Sequence, residues 1–327
     1  MLSKFIQTIV TVGLGVGAAY LFYFVLNFVA EKLPGRWEER IKPIFYVFPA
    51  VAVVAVYLIY PTLQTIFYSF ANSDSTSLVG LHNYSDLLGS SDFRQTLFNT
   101  LLWIIFAPAA TIVLGLLVAT LADRLSSRGE KFSKTIIFLP MAVGAVGAAT
   151  VWQFVYQSAP ASSPQIGLQN AIWTGMGHNP VSWLQTQTLH FNSFELMIVF
   201  LWGQIGFSMV LLSAAIKGVP VDTVEAARID GANELQIFFR VIVPQIRITI
   251  VTVFITVLIG VLKIFDIIYV LTNGQFNTNV IGVEFWNQIN TNQNNGKAAA
   301  IVVILLIAVS PVMFYQVKQF RAQEAGR

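Results

Sequence analysis

Seven apolar runs alternate with polar stretches along the chain, at residues 5–30, 45–70, 98–122, 135–156, 196–216, 249–271 and 298–314. Each is close to the ~20 residues that a helix needs to cross a hydrocarbon core of about 30 Å, whereas barrel strands would be half as long and would alternate. The pattern predicts an all-α integral membrane protein with seven transmembrane helices. Prolines 49, 61, 108 and 140 fall inside the runs, where neighbouring helices can satisfy the freed carbonyls. The fifth run is closed by Gly218 and Pro220, a helix stop. The first carries Gly13-x-Gly15-x-Gly17, a face on which another helix could pack closely, and is too long for the apolar core of a cleaved leader.

One long polar segment, residues 221–244, carries helical periodicity between the fifth and sixth runs. Asp222 and Glu225 stand at capping-box spacing, Ala226 and Ala227 propagate a helix, and Gly231 breaks it. Residues 234–243 then predict a second amphipathic stretch with Leu235, Phe238, Phe239 and Ile242 apolar, ended before Pro244. Two readings of this helix–turn–helix stand side by side. It lies on lipid, which Arg228, Arg240 and Arg247 would suit, or it docks on a protein partner.

Composition supports the membrane class: of 327 residues 55% are hydrophobic and 11% charged, too much apolar surface for a soluble domain. The absence of cysteine excludes a disulfide framework and thiolate metal sites. Charge supplies an orientation. Fifteen Lys and Arg fall on one side of the seven spans, while only Lys4, Arg94 and Lys297 fall on the other and Lys263 lies within a span. The positive-inside rule then predicts the N-terminus outside, the C-terminus inside and the 217–247 loop in the cytoplasm. The outer loop 158–195 has no Lys or Arg, and 273–296 is crowded with Asn and Gln. Each is either a solvated loop or a docking surface for an extracytoplasmic partner. No repeat at a fixed solenoid period is present, and one domain is the economical reading.

No phosphate-binding loop and no His-Glu-x-x-His are present, so the chain is not expected to hydrolyse ATP alone or to hold a catalytic metal. His82, His178 and His190 are scattered through outer loops, and no catalytic residue or nucleic-acid partner is expected. Inside the membrane, Lys263 and Asp266 stand three residues apart on one predicted helix face. They line a path, or they neutralise each other inside the bundle. Gln204 and Ser208 could hydrogen-bond hydroxyl groups or join helices, and Phe207, Phe265 and Tyr269 could stack on a sugar ring or simply pack.

Glu225-Ala226-Ala227-x-x-x-Gly231, with Val241-x-Val243-Pro244 after it, resembles the EAA loop in membrane subunits of binding-protein-dependent ABC importers. Asp230-Gly231-Ala232 resembles the carbohydrate-transporting branch, and Phe265-Asp266 with Leu271-Thr272-Asn273-Gly274 resembles its MalF-like half; Gln275-Phe276 replaces that half's final Gly-Pro. Leu33-Pro-Gly-Arg-Trp-Glu-Glu-Arg40 resembles a feature of the alpha-glucoside group. The resemblance implies a type I importer six-helix core in residues 43–327, with an extra transmembrane helix and a charged cytoplasmic linker in residues 1–42 outside it, and a permease subunit of a sugar importer in a bacterial inner membrane. Its loop, through Glu225, Ala226, Ala227, Arg228, Asp230, Gly231 and Pro244, would contact an ATP-binding subunit. Implied partners are a second, MalG-like permease subunit, a pair of ATPases holding ATP and Mg, and a solute-binding protein. The rival expectations are a permease for a non-sugar solute and an ion-coupled carrier that uses Lys263 and Asp266.

Overall fold

The computed structural model describes residues 2–31 and 36–325, so Leu33-Pro34-Gly35 of the alpha-glucoside-like motif lies outside the described residues. Among these the chain is helical throughout, with one isolated antiparallel bridge between Ala71 and Leu78. It divides into two compact units, residues 1–67 and 68–327.

In the first unit α1 (Leu2–Glu31) and α2 (Arg36–Val54) pack together, and α2 runs through a π turn (Ala55–Ile59) into α3 (Tyr60–Tyr68). Tyr46 stacks on Tyr23 at 6.2 Å, and its hydroxyl donates to Asn27 Oδ1 at 2.7 Å. The π turn has a local cause, because Pro61 lacks an N–H and its ring crowds the preceding carbonyl, so the turn widens to keep the helix running. The apolar windows of both spans in this unit are unburied, as lipid-facing helices require.

The second unit begins with a short turn and α4 (His82–Gly89) before the 32-residue α5 (Ser91–Ala122). There follow α6 (Ser127–Phe138), α7 (Ala145–Val155), α8 (Leu168–Gly175) and α9 (Phe191–Lys217). The polar segment forms α10 (Val221–Ile229), α11 (Glu234–Ile237) and α12 (Val243–Gln245), and leads to α13 (Arg247–Leu262) and α14 (Asp266–Leu271). The chain closes with α15 (Ile281–Asn290) and α16 (Asn295–Ala325). Trp103, Leu196, Met209, Leu212, Val257, Val261 and Ile268 form the main core among α5, α9, α13 and α14. A smaller cluster of Leu87, Phe93, Ile281 and Ile301 joins α4, α5, α15 and α16.

Five described helices are long and apolar enough to cross a membrane, or seven if each of two bent pairs is one span. Three sequence expectations need correction. The predicted helix at 135–156 is bent by 102° between α6 and α7, across a 3-10 turn at Leu139–Ala142. The predicted helix at 249–271 ends at Leu262 and restarts at Asp266. The stretch at 234–243 does not stop before Pro244: a π turn (Phe238–Ile242) absorbs the proline, as it does before Pro61, and the true bend, 72°, comes at Ile246.

Both breaks are backed by glycines on neighbouring helices. A Cβ at Gly206 of α9 would lie 2.6 Å from the Ile137 carbonyl oxygen, and one at Gly282 of α15 would lie 2.6 Å from that of Ile264. Only glycine lets a helix close over the backbone at these two points. Hydrogen bonds gather the loops at two ends. At one, Asn99 Nδ2 donates to the carbonyls of Asn277 (2.6 Å) and Asn279 (2.9 Å), and Asn192 Nδ2 to that of Phe276 (2.7 Å). At the other, the termini of α5 and α9 meet the start of α6 beside the 217–247 loop.

Candidate functional site

The 217–247 loop is built by its turn chemistry. Gly231 has φ +81°, the Ala232 N–H donates to the Ala227 carbonyl at 3.0 Å, and the Gly231 N–H donates to that of Arg228 at 3.0 Å. These two bonds form a Schellman ending for α10, in which the residue after the cap must be left-handed, hence glycine. Arg228 pairs with Glu234 across the turn at 3.1 Å. The expected capping box at Asp222 and Glu225 is absent, because Pro220 occupies the cap and offers no side-chain acceptor. The box falls instead on Asn233 and Gln236, opening α11. Glu225, Ala226, Arg228, Asp230, Gly231 and Pro244 are exposed and Ala227 is half-buried. Beside them Val221, Ile229, Leu235 and Phe239 present apolar side chains to the outside, Ile229 at 86% exposure. Ile237 and Ile246 are buried and anchor the loop from below.

A polar cluster ties the loop's root to the bundle. Lys134 donates to Asp123 and to Glu130, both at 2.6 Å, and to Ser213. Ser213 donates to Asp123 at 2.8 Å, and Lys217 pairs with Glu130. Four of the eight residues 127–134 are charged, so this turn lies outside the apolar span. Hydrogen bonds from Lys134 and then Lys217 hold the Glu130 carboxyl down to about 2. Burial opposes the Lys134 charge, but its bonds to Asp123 and Glu130 outweigh that and raise its pKa. Sequence reasoning missed this cluster. Its only local signal is the Glu130–Lys134 spacing of four, since Asp123 and Ser213 belong to other helices.

At mid-length of the bundle both helix breaks line one cavity of about 350 Å³. Met141, Val143 and Gly144 come from the first break, Lys263, Ile264 and Phe265 from the second, and Gln204 faces them from α9. Asp266 lines it from the first turn of α14, where the helix dipole favours a carboxylate. Discontinuous helices around a cavity at this depth are how transporters admit irregular backbone into a membrane.

Four of the seven predicted path residues, Gln204, Lys263, Phe265 and Asp266, therefore meet at one cavity. Lys263 and Asp266 do not share a helix face as expected, because the helix ends between them, and among the described ion pairs they form none. Tyr269 stacks on Phe265 at 4.9 Å, and Trp286 packs against both rings, outside the cavity lining. Ser208 is fully buried between α9 and α5, where its hydroxyl lies 3.1 Å from the Thr111 carbonyl and Gly115 makes room for it. Phe207 is half-buried and likewise not among the lining residues.

The profile of the family described as binding-protein-dependent transport system inner membrane component matches residues 111–321. The chain belongs to this family. It is accordingly a multi-pass permease subunit of an ABC transport system, not a catalytic enzyme by itself, and an ion-coupled carrier working alone is set aside. Among its relatives is the osmoprotective compounds uptake permease GgtC of Synechocystis, 44% identical over 282 residues, covering 86% of this chain and 100% of the relative. The alpha-glucoside transport system permease AglF of Rhizobium meliloti is 41% identical, covering 89% and 86%. The trehalose/maltose permease MalF of Thermococcus litoralis is 31% identical, covering 90% and 99%. A bacterial alginate ABC transporter, crystallised with an alginate-bound periplasmic protein, shares the permease fold at a TM-score of 0.72 and 20% identity, over 86% of this chain and 96% of its own.

Proposed function

We propose that this permease subunit carries a neutral sugar, an alpha-linked glucoside, through the break-lined cavity, with the 217–247 loop as its lever on an ATPase. The observation that carries this reading is the shared cavity of the two helix breaks, with Gln204, Lys263, Phe265 and Asp266 in its wall. The relatives named for alpha-glucoside and trehalose/maltose transport support the substrate class. The membrane holds seven spans with the N-terminus outside and the C-terminus inside, as the basic residues distribute. Residues 1–42 add one helix to a six-helix core in 43–327. In a bacterial inner membrane the subunit pairs with a second, MalG-like permease, and a solute-binding protein delivers sugar from outside.

Glu225, Ala226, Ala227, Arg228, Asp230, Gly231 and Pro244 form the contact with one of two ATP-binding subunits, which hold ATP and Mg, and the lever ends at the bend at Ile246. The apolar residues exposed beside them favour a protein groove over bare solvent. Nucleotide moves the loop only through its different affinity for two states of the assembly, and the cavity then opens to one side or the other. Gly231→Asp places a branched, charged residue at a left-handed position and on the docking face. Membrane insertion should persist while ATPase association and uptake are lost. Normal assembly and uptake in that variant would remove the coupling role.

A further inference from the structure

A second cavity, of about 490 Å³, lies at the end of α7 away from the break, and it is built from a different set of groups. Its lining has no Lys, Arg, Asp, Glu or His. Three glutamines, Gln153, Gln157 and Gln185, line it, and among the described residues no hydrogen bond engages their side-chain amides. A primary amide offers two donors and an acceptor, the complement of adjacent hydroxyls. The ring of Phe154, 66% exposed, and the buried Trp183 add aromatic surface. The Trp183 indole N–H is enclosed without a protein acceptor among the described residues, an uncommon state for a buried donor.

The cavity walls are clamped. Asn170 of α8 holds the second wall by two bonds to Val181, donating to its carbonyl and accepting from its N–H, each at 2.9 Å. Gly167 presses on the first wall, where a Cβ would lie 2.1 Å from the Gln157 carbonyl oxygen. The hydroxyls of Ser158 and Ser182 meet across the gap at 3.3 Å. Such bracing fixes the backbone that carries Gln157 and Gln185 before any ligand arrives.

The same two half-helices reach both cavities. Ala145 and Asp266, at the starts of α7 and α14, line the mid-bundle cavity, while Phe154 and Leu271, at their ends, line this one. Nine residues of helix separate Ala145 from Phe154, about 13 Å, which makes two successive stations and not one enlarged site.

We infer that this second cavity is an outer carbohydrate subsite that holds a neutral sugar by Gln153, Gln157 and Gln185 before it reaches the helix breaks. The inference rests on the sugar-permease reading above. A charged solute finds no counter-ion here, so the subsite also filters for neutral ligands.

The test uses the full transporter, assembled with its partner permease and ATPase subunits in proteoliposomes, with radiolabelled maltose and trehalose delivered by the binding protein. In Gln153→Ala/Gln157→Ala the concentration for half-maximal uptake should rise about tenfold, from the loss of two neutral hydrogen bonds. The maximal rate and the ATPase stimulation by the binding protein should stay within about twofold of wild type. Phe154→Ala should show the same split. An unchanged half-saturation would overturn the subsite. So would a parallel loss of ATPase stimulation, which would make the face a docking surface, or failure to assemble, which would make it a subunit contact. Wild-type uptake of neither sugar would overturn the sugar reading, and the subsite with it.

Discussion

Asp266 and Lys263 are the charged residues in the wall of the mid-bundle cavity, and they lie on opposite sides of a helix terminus. A salt bridge within one helix would have made them structural. Separated by the break and facing a cavity, they are placed to meet a solute instead. Asp266→Asn should therefore cut uptake severalfold while moving the melting temperature of the assembled transporter by less than about 2 °C. Unchanged uptake with a lowered melting temperature would return Asp266 to a structural role. Ser208 contrasts with it. Its hydroxyl is buried against α5, so Ser208→Ala should register in thermal stability and leave substrate affinity unchanged, as a pair of binding and melting curves would reveal.

The breaks and their glycine backing belong to the scale of the element. Gly206→Ala drives a Cβ into the backbone at Ile137 and Phe138, and overpacking of this kind costs about 1–3 kcal/mol. Gly203→Ala, three residues earlier on the same helix, meets nothing within 4 Å and should melt like wild type. Equal melting temperatures for the two variants would contradict the packing account. The polar cluster makes a second prediction: among the described ion pairs, Lys134→Met leaves the Asp123 and Glu130 carboxylates with Lys217 as their one cation and should lower the melting temperature by several degrees. Glu130 has a folded pKa below its ordinary 4.5, so its contribution is complete above that value and is lost as pH falls toward 2. The difference between wild type and Lys134→Met should accordingly stay flat from about pH 5 to 8.

Apolar length alone located α5 and α9, which contain the runs read at 98–122 and 196–216. Local turn chemistry located Gly231. The breaks were not legible, because the apolar run continues through both and the glycines that make room for them, Gly206 and Gly282, stand on other helices. The capping box was misplaced for a nearer reason: Asp222 has the right spacing but Pro220 takes the cap, while Asn233 and Gln236 fit the same rule. Four of the residues read as path candidates, Gln204, Lys263, Phe265 and Asp266, line one cavity, whereas Ser208 is indistinguishable in sequence from a cavity-lining hydroxyl.

At the scale of the whole molecule, the loops gather at opposite ends of the second unit and the cavity lies between them. The absence of native cysteine makes sidedness directly measurable with single introduced thiols. Ile229→Cys should react with an impermeant maleimide only from the cytoplasm and Asn290→Cys only from outside, and the reverse would invert the topology. On the proposed mechanism the 217–247 loop switches the break-lined cavity between the two faces. The most direct measurement is maleimide labelling of Gln204→Cys in the assembled transporter, from each side, without nucleotide and with ATP trapped by vanadate. Labelling should come from the cytoplasm without nucleotide and from outside in the trapped state. Labelling from the same side in both states would contradict that mechanism.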